Sequence, residues 1–274
     1  MPVHDDLGIR MKEYYESVPK TKLVRRTPVA IRIDGKAFHT FTRGFNKPFD
    51  NILIASMQDT MKYLCENIQG CVLGYTQSDE ITLILIDYQN LDTSAWFDYE
   101  VQKICSISAS MATLAFNRNF SHRVFEQLDE ISYPTFKNMP KEEQEKFTKY
   151  RQTLFAAEDR GAMFDARCFN IPKEEVTNLI YWRQLDAIRN SIQMIGQANF
   201  SHKELQHKTC NMIKEMLATE KSIVWEELPI HYQRGSCCIK AADDWKRGPR
   251  WQIDKNIPIF KEEGRDYIDR LVCL

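Results

Sequence analysis

Apolar and polar side chains alternate along residues 29–35, and a period of two is typical of a β-strand. Arg32 and Asp34 fall on one face of this strand, opposite the β-branched positions. Gly35 follows directly and permits a close turn of the backbone. The pattern therefore predicts a strand that brings Asp34 to the edge of a sheet.

Helical spacing follows this strand. Apolar residues recur every three or four positions from Leu53 to Ile68, which predicts an amphipathic helix that Gly70 ends. Two apolar runs come next, 71–76 and 81–86, around a polar turn, and they predict a β-hairpin. Because the second run is almost continuously apolar, we expect a central strand that is covered on both faces.

The remaining chain alternates between helical and strand patterns. We predict a helix over 95–117, an exposed helical excursion over 132–160, a strand near 162–171, helices over 173–196 and 201–219, a short strand within 234–239 and a loop over 245–251. The order strand, helix, hairpin, helix is typical of an α+β layer in which two helices back an antiparallel sheet.

Composition narrows the class of protein. The chain has 274 residues, 43% of them hydrophobic, and a net charge of −1, so it can form a core and must bind any nucleic acid through local basic patches. No apolar run approaches the ~18 residues that span a membrane, and Met1–Lys12 lacks the pattern of a secretory signal. The eight cysteines include no Cys-x-x-Cys pair, so we expect reduced, structural thiols in a cytoplasmic protein.

Three carboxylates stand where predicted strands end or begin: Asp34, Asp79 and Glu80. Magnesium is bound by one or two carboxylates together with substrate phosphates, and a two-metal site needs carboxylates from different strands at one point. The pattern indicates a magnesium-dependent nucleotidyl-transfer site, with Glu80 as a third ligand or as a supporting group. Since Asp also favours turns, the pattern alone is equally consistent with polar turn residues.

The segment Gly35–His39 adds groups that suit phosphate binding. Backbone N–H groups at a glycine turn commonly cradle phosphates. Phe38 is a candidate for stacking on a base, and Lys47, Arg32 and Arg43 supply positive charge that offsets a triphosphate.

Four motifs occur in one order along most of the chain. They are Ile33-Asp34-Gly35-Lys36-Ala37-Phe38-His39, Lys47-Pro48-Phe49-Asp50, Tyr75-Thr76-Gln77-Ser78-Asp79-Glu80 and Tyr181-Trp182-Arg183-Gln184-Leu185-Asp186. Together they resemble the tRNA-His guanylyltransferase family and its guanylyltransferase-like relatives. The resemblance extends from Asp6-Leu7-Gly8 to at least Tyr232-Gln233-Arg234-Gly235.

The resemblance implies a fold and an activity. It implies a palm-like catalytic core over residues 1–131, with a βαββαβ sheet of the ferredoxin or RRM type. Residues 132–274 then form a largely helical half that adds a sheet strand and tRNA contacts within one compact unit. The implied activity is 3′-to-5′ addition of nucleotides to the 5′ end of tRNA by a homotetramer. Its implied cofactors are two Mg²⁺ ions, ATP or GTP as the activating nucleotide, and nucleoside triphosphate substrates.

The same resemblance assigns roles to residues of this chain. Asp34, the Gly35 carbonyl and Asp79 hold the metals, with Glu80 in support. Lys103 matches a lysine near the 5′-end activation site. The incoming nucleotide is held by Asp34, Gly35, Lys36, Ala37, Phe38, His39, Lys47, Ser78 and Asp79.

One segment departs from the family pattern. The eukaryotic guanylyltransferases carry His-Ile-Asn-Asn-Leu-Tyr-Asn after the Trp-Arg-Gln motif, whereas this chain has Ala187-Ile188-Arg189-Asn190-Ser191-Ile192-Gln193. The missing histidine favours the relatives that restore missing 5′ nucleotides by Watson–Crick templating. The alternative is strict addition of one guanosine to tRNA-His.

Several cations are candidates for binding RNA: Arg25, Arg26, Arg183, Arg189, Lys246, Arg247 and Arg250. Each has a structural alternative, because charge runs are commonly solvated loops and the Trp182-Arg183-Gln184 helix could pack in the core with a salt bridge to Asp186. His202, His207 and Cys210 fall on one predicted helix at a spacing that does not suit zinc.

Two other classes of function remain open at this stage. A nucleotide cyclase with a palm fold would share the two carboxylates, although the Gly-Gly-Asp/Glu-Glu-Phe hairpin is absent. A non-catalytic RNA-binding domain with a similar sheet would need stacking aromatics on its central strands, and the run 81–86 has none.

Overall fold

The computed structural model describes residues 5–130, 133–241 and 249–273. Its centre is a six-stranded antiparallel sheet in the order β4-β1-β3-β2-β5-β6. The strands are β1 (Val29–Gly35), β2 (Cys71–Gln77), β3 (Glu80–Leu85), β4 (Phe164–Asn170), β5 (Ser236–Ala241) and β6 (Arg250–Asp254). This sheet confirms the predicted α+β class.

Helices cover both faces of the sheet. Those described are α1 (Asp6–Met11), α2 (Phe38–Phe41), α3 (Asn51–Asn67), α4 (Val101–Glu130), α5 (Tyr133–Asn138), α6 (Lys141–Arg160), α7 (Lys173–Asn199), α8 (His202–Leu205), α9 (Cys210–Lys221), α10 (Ile230–Arg234) and α11 (Asp266–Val272). A π-helical turn, Lys12–Glu16, continues α1.

Two apolar cores lie on the two sides of the sheet. Ile31 and Ile33 point to the core that α3, α4 and α6 complete, and Ala30 points to the core that α7 and α11 complete. Because β1 is covered on both faces, its side chains contribute to both cores. Arg32 and Asp34 share the face of Ala30, which is the face that α7 covers in part.

The central hairpin matches its prediction closely. The strands β2 and β3 pair through Gln77↔Glu80, so the connecting turn consists of Ser78 and Asp79 alone. β3 is buried along its whole length, as its apolar sequence predicts.

The predicted helix over 95–117 is displaced at both ends. Residues 96–99 form a 3-10 turn, in which Phe97 and Asp98 have positive φ angles, and α4 begins only at Val101. At its other end α4 continues past Asn117, because Phe120 and Val124 maintain the buried stripe.

The C-terminal half supplies three strands of the sheet. β4 pairs with β1 at one edge, and β5 pairs with β2 at the other. The predicted loop over 245–251 is wrong at its end, since Arg250 and Trp251 belong to β6, which pairs with β5.

The single helix predicted over 201–219 is wrong. It consists of α8, capped by Ser201 and Glu204, and α9, capped by the Thr209 side chain. His207 has a φ angle of 61° in the connection between them. His202 and Cys210 therefore lie on different helices. No described helix is both long enough and apolar enough to cross a membrane.

Candidate active site

An acidic row crosses three strands at one edge of the sheet. Asp34 of β1 lies in register with Glu80 of β3 on one side and with Asp165 of β4 on the other. Side chains of directly paired residues share a face of the sheet, so the three carboxylates project to the same side. The sheet thus brings carboxylates from distant parts of the chain to one place.

Asp79 joins this row from the hairpin turn. Ser78 has a φ angle of 51°, which lets the backbone reverse within two residues. The Ser78 hydroxyl donates to Asp79 Oδ1 at 3.0 Å, and the Gly35 N–H donates to the Asp79 carbonyl at 3.1 Å. The end of β1 therefore fixes the backbone of the turn, and Asp79 sits beside Asp34.

The two aspartates are poorly solvated and close to other negative charges. Burial raises the pKa of Asp34 above its usual value, and the neighbouring charges of Asp79, Glu80 and Asp165 raise it further. Burial also raises the pKa of Asp79, partly offset by the hydrogen bond from Ser78. Such a raised pair gains from binding a cation, because the cation relieves both the burial and the repulsion.

Glu80 is neutralised by the protein itself. Its Oε1 accepts from Arg183 Nε at 2.6 Å, and its Oε2 accepts from Arg32 Nη2 at 2.8 Å. Glu80 and Arg183 are only 6% and 7% exposed. With both oxygens bound by guanidinium groups, Glu80 has the geometry of a supporting group, not that of a third metal ligand.

The aspartate pair fits a hard divalent cation. No group of three or more His, Cys, Asp or Glu side chains forms a metal cage in the described part of the chain. Magnesium does not require one, since it takes one or two carboxylates and completes its shell with water and phosphate oxygens. Neither Asp34 nor Asp79 has a Lys, Arg or His ion-pair partner among the described salt bridges.

A cleft of about 460 Å³ opens beside the pair. Such a volume is in the range of small-molecule sites. Nine of its lining residues belong to the predicted site or its motifs: Gly35, Ala37, Phe38, His39, Lys47, Pro48, Asp50, Ser78 and Asp79. The structure therefore brings together three of the four sequence motifs around one cavity.

The segment Gly35–His39 is less open than expected. The Gly35 and Lys36 N–H groups are already used, because they donate to the carbonyls of Asp79 and Met163 at 3.1 and 2.8 Å. Donors for a phosphate must therefore come from Ala37 onward, where the backbone enters α2 with a φ angle of 54° at Ala37.

The proposed base-stacking role of Phe38 is wrong. Its ring is buried and packs against Phe41, Phe116 and Phe164 at centroid distances of 5.1–5.5 Å. A Cβ atom at Gly35 would come within 2.2 Å of Phe38 Cδ2. Gly35 is therefore required for close packing on this ring.

Lys103 lies near the start of α4. It is exposed in the first turn of α4 and approaches Glu100 at 3.8 Å. Two residues further on, Cys105 contacts Cys168 of β4, which pairs with Ile31 three residues before Asp34. The role of Lys103 near the 5′-end activation site stays a prediction.

The basic cluster before β1 is used inside the fold. Arg25 Nε donates to Asp87 Oδ2 at 2.6 Å, and Arg26 Nη1 donates to the carbonyls of Asp87 and Asn90, both at 2.9 Å. These arginines anchor the loop after β3, which favours the structural interpretation over RNA binding.

The other predicted RNA-binding cations differ in their environment. Arg183 is buried and donates to Glu80 and, through Nη2 at 3.0 Å, to Asp186 Oδ2. Its prediction as an RNA contact is therefore wrong. Arg189 is exposed and paired with Asp186, and Arg250 is exposed on β6. Lys246 and Arg247 lie outside the described residues.

A second cavity adjoins the cleft and shares Asp50, Leu53, Ser78 and Met194 with it. Ala187, Asn190 and Ser191 line this cavity. The segment Ala187–Gln193 therefore reaches a cavity next to the cleft.

Two residues of this region escaped the sequence prediction. Asp165 lies in an ordinary strand pattern, and only its register with Asp34 reveals it. Core packing was one alternative for the Trp182 helix, but Trp182 is 52% exposed beside Arg32. Helical spacing could have indicated its exposure, since Leu185 and Arg189 lie on the same exposed side.

An antiparallel sheet with paired carboxylates at its edge, beside a cleft of about 460 Å³, fits a nucleotidyltransferase. Residues 9–172 match the family model of tRNAHis guanylyltransferase. The chain belongs to the tRNAHis guanylyltransferase family.

Individual relatives agree with this assignment. A bacterial tRNA(His) guanylyltransferase-like protein in complex with ATP is 40% identical to this chain, with a TM-score of 0.79 and coverage of 98% of this chain and 100% of that chain. A bacterial protein of the same description in complex with GTP is 36% identical, with a TM-score of 0.71 and the same coverage. A probable tRNA(His) guanylyltransferase of Dictyostelium discoideum is 24% identical over 273 residues, which cover 94% of this chain and 91% of that protein.

Proposed function

We propose that this protein adds nucleotides in the 3′-to-5′ direction to the 5′ end of tRNA, and that it repairs tRNAs from which 5′ nucleotides are missing. The observation that carries the proposal is the pairing of Asp34 with Asp79 at a cleft that also contains Gly35, Lys47 and Ser78. The bacterial relatives in complex with ATP and GTP support nucleotide binding at this fold.

The proposed reaction has two steps. In the first, an oxygen of the tRNA 5′ monophosphate attacks the α-phosphorus of ATP or GTP, and pyrophosphate leaves. In the second, the 3′ hydroxyl of a nucleoside triphosphate loses its proton and attacks the activated 5′ phosphorus, and the nucleoside monophosphate leaves. The extended tRNA carries a 5′ triphosphate, so each later addition expels pyrophosphate.

The residues of the cleft suit this chemistry, since phosphoryl transfer depends mainly on positioning and charge neutralisation. Asp34, Asp79 and the Gly35 carbonyl would hold two Mg²⁺ ions. Bound Mg²⁺ supplies positive charge to the phosphates and makes an attacking hydroxyl more acidic. Lys47 brings a further cation to the cleft wall, and Ser78 holds the Asp79 carboxylate in place.

Templated repair is favoured over strict addition of one guanosine to tRNA-His. The eukaryotic enzymes carry a histidine where this chain has the buried Ala187. Ala187 lines the cavity next to the nucleotide cleft, so this position offers no side chain that could bind an unpaired guanosine or its phosphate. We also propose that the protein works as a homotetramer in the cytoplasm, as the family resemblance implies.

An extension assay tests the proposal. The protein is incubated with full-length and 5′-truncated tRNA-His, Mg²⁺, ATP and each nucleoside triphosphate in turn. We expect complementary nucleotides to be added to the truncated tRNA. Equal or better addition of an unpaired guanosine to tRNA-His would overturn the repair assignment. Cyclic nucleotide formed from GTP without tRNA would instead identify a cyclase.

A further inference from the structure

Trp182 is an exposed aromatic residue next to the acidic row. Its side chain is 52% exposed, although Trp is highly buried on average. The Arg32 guanidinium carbon lies 5.4 Å from the ring centroid, and that of Arg183 lies 4.6 Å from it. An exposed ring that two cations hold in place is an unusual feature for a merely solvated helix face.

The same network that holds Trp182 also leads to the carboxylates. Arg32 and Arg183 both bind Glu80, and Glu80 pairs with Asp34 across the sheet. Arg32 and Asp34 are two residues apart on one strand, which corresponds to about 6.6 Å. Trp182 is therefore connected to Glu80, the neighbour of Asp34, through these two arginines.

The surroundings of the ring suit a nucleic acid. Arg167 lies in register with Arg32 on the exposed edge strand, and Arg189 lies two helical turns after Trp182. Both are largely exposed, in surface ion pairs with Asp165 and Asp186, so a phosphate can compete for their charges while the open part of the ring remains free to stack on a base.

We propose that Trp182 is a positioning residue that stacks on the unpaired templating nucleotide at the acceptor end of a 5′-truncated tRNA. This inference rests on the proposed function, since a tRNA that lacks a 5′ nucleotide exposes one unpaired base on the opposite strand. Unpaired bases are the ones that aromatic side chains bind by stacking. The stack holds the template beside Asp34 and Asp79, where the incoming nucleotide must pair.

The test is a binding cycle in which both partners are varied. The full-length protein and the variants Trp182→Ala and Trp182→Phe bind 5′-truncated tRNA in Mg²⁺ without nucleoside triphosphates. The tRNA carries either 2-aminopurine or an abasic site at the templating position. We expect Trp182→Ala to weaken binding of the 2-aminopurine tRNA about tenfold, in the range found for base–aromatic stacking, and to abolish quenching of its fluorescence. Trp182→Phe should retain most of both effects.

The abasic tRNA separates stacking from a structural role. If Trp182 stacks on the base, wild type and Trp182→Ala bind the abasic tRNA equally. If Trp182 only supports the Glu80 network, Trp182→Ala weakens binding of both tRNAs to the same extent, and this result overturns the inference. Binding unaffected by Trp182→Ala with either tRNA also overturns it.

The matched control is Phe125→Ala. Phe125 is 51% exposed on α4, so its removal deletes an aromatic side chain of similar exposure at another surface. It should change neither binding nor quenching. Because no nucleotide is added in this assay, the two proposals fail separately. If the protein quenches the 2-aminopurine tRNA but does not extend truncated tRNA, only the polymerase activity is refuted. If it extends truncated tRNA but Trp182→Ala loses neither binding nor quenching, only the stacking is refuted.

Discussion

Asp79 and Glu80 are neighbours in the chain, yet the fold gives them opposite environments. Glu80 is the first residue of β3, is buried, and binds two arginines. Asp79 lies in the turn before it, faces a cleft and has no cationic partner among the described salt bridges. One carboxylate is therefore a permanent counter-ion within the protein, and the other is available to a cation from solution.

The comparison shows how a site can keep carboxylates available to a metal ion although arginines lie nearby. Arg32 and Arg183 lie close to the acidic row, and either could neutralise Asp34. Glu80 occupies both guanidinium groups, and burial raises the pKa values of Asp34 and Asp79. The structural ion pair thus protects the binding pair.

The largest difference should appear in catalysis. Asp34→Asn or Asp79→Asn should reduce nucleotide addition by more than about 100-fold, because even an outer-shell partner of a metal typically contributes 10–100-fold. Steady-state extension of truncated tRNA measures the effect, and circular dichroism checks the fold. Asp92→Asn, in an exposed loop, is the matched control and should keep full activity. Normal extension by both site variants would refute the assignment of Asp34 and Asp79.

Removing a partner of Glu80 should act on stability. Arg183→Ala leaves a buried carboxylate with one cation fewer and should lower the free energy of unfolding by about 3–5 kcal/mol. Urea denaturation measures the change. Arg189→Ala removes a neighbouring arginine that is largely exposed and should change stability by less than about 0.5 kcal/mol. Equal stability of the two variants would contradict the role of Glu80 as a counter-ion.

The effect of Mg²⁺ on the unfolding temperature should distinguish the metal-binding carboxylates from the counter-ion Glu80 without any substrate. A ligand at ten times its dissociation constant stabilises a folded protein by about 1.4 kcal/mol. We expect Mg²⁺ to raise the unfolding temperature of wild type but not that of Asp34→Asn, as measured by differential scanning calorimetry. The Arg189→Ala variant should keep the full shift. If Mg²⁺ raised the unfolding temperature of Asp34→Asn as much as that of wild type, the ion would bind elsewhere.

The smallest effect concerns pH. The pKa of Asp79 is raised in the folded protein, so ionisation of this group costs stability as the pH rises through that pKa, and the cost is absent below the unfolded value of 3.8. Asp79→Asn removes the cost. Without Mg²⁺, it should therefore unfold at a higher temperature than wild type at pH 7, and the difference should vanish as the pH falls towards 3.8. A difference that grows towards acid pH would have the wrong sign.

Local pattern was sufficient for the elements that place the candidate ligands. The alternation before Gly35 and the two apolar runs around Ser78 and Asp79 predicted β1, β2 and β3, because each strand depends on its own periodicity. The break between α8 and α9 was also readable, since Ser201 and Thr209 are good N-cap residues.

Long-range contacts were not readable in this way. Glu80 and Asp79 have similar chemistry, and the contacts of Glu80 with Arg32 of β1 and Arg183 of α7 distinguish them. Asp165 acquires its position through strand register, and Trp182 through Arg32, which lies on another element. A single sequence contains no local pattern that predicts such contacts between distant segments.

The bond between Glu80 and Arg183 joins residues 103 positions apart in the chain. At translation rates of about 5–20 residues per second, the ribosome releases Arg183 roughly 5–20 s after Glu80. During that interval the nascent hairpin carries its acidic side chains without the arginine that later shields one of them. The proposed metal-binding edge is therefore complete only when the helix that bears Trp182 has been synthesised.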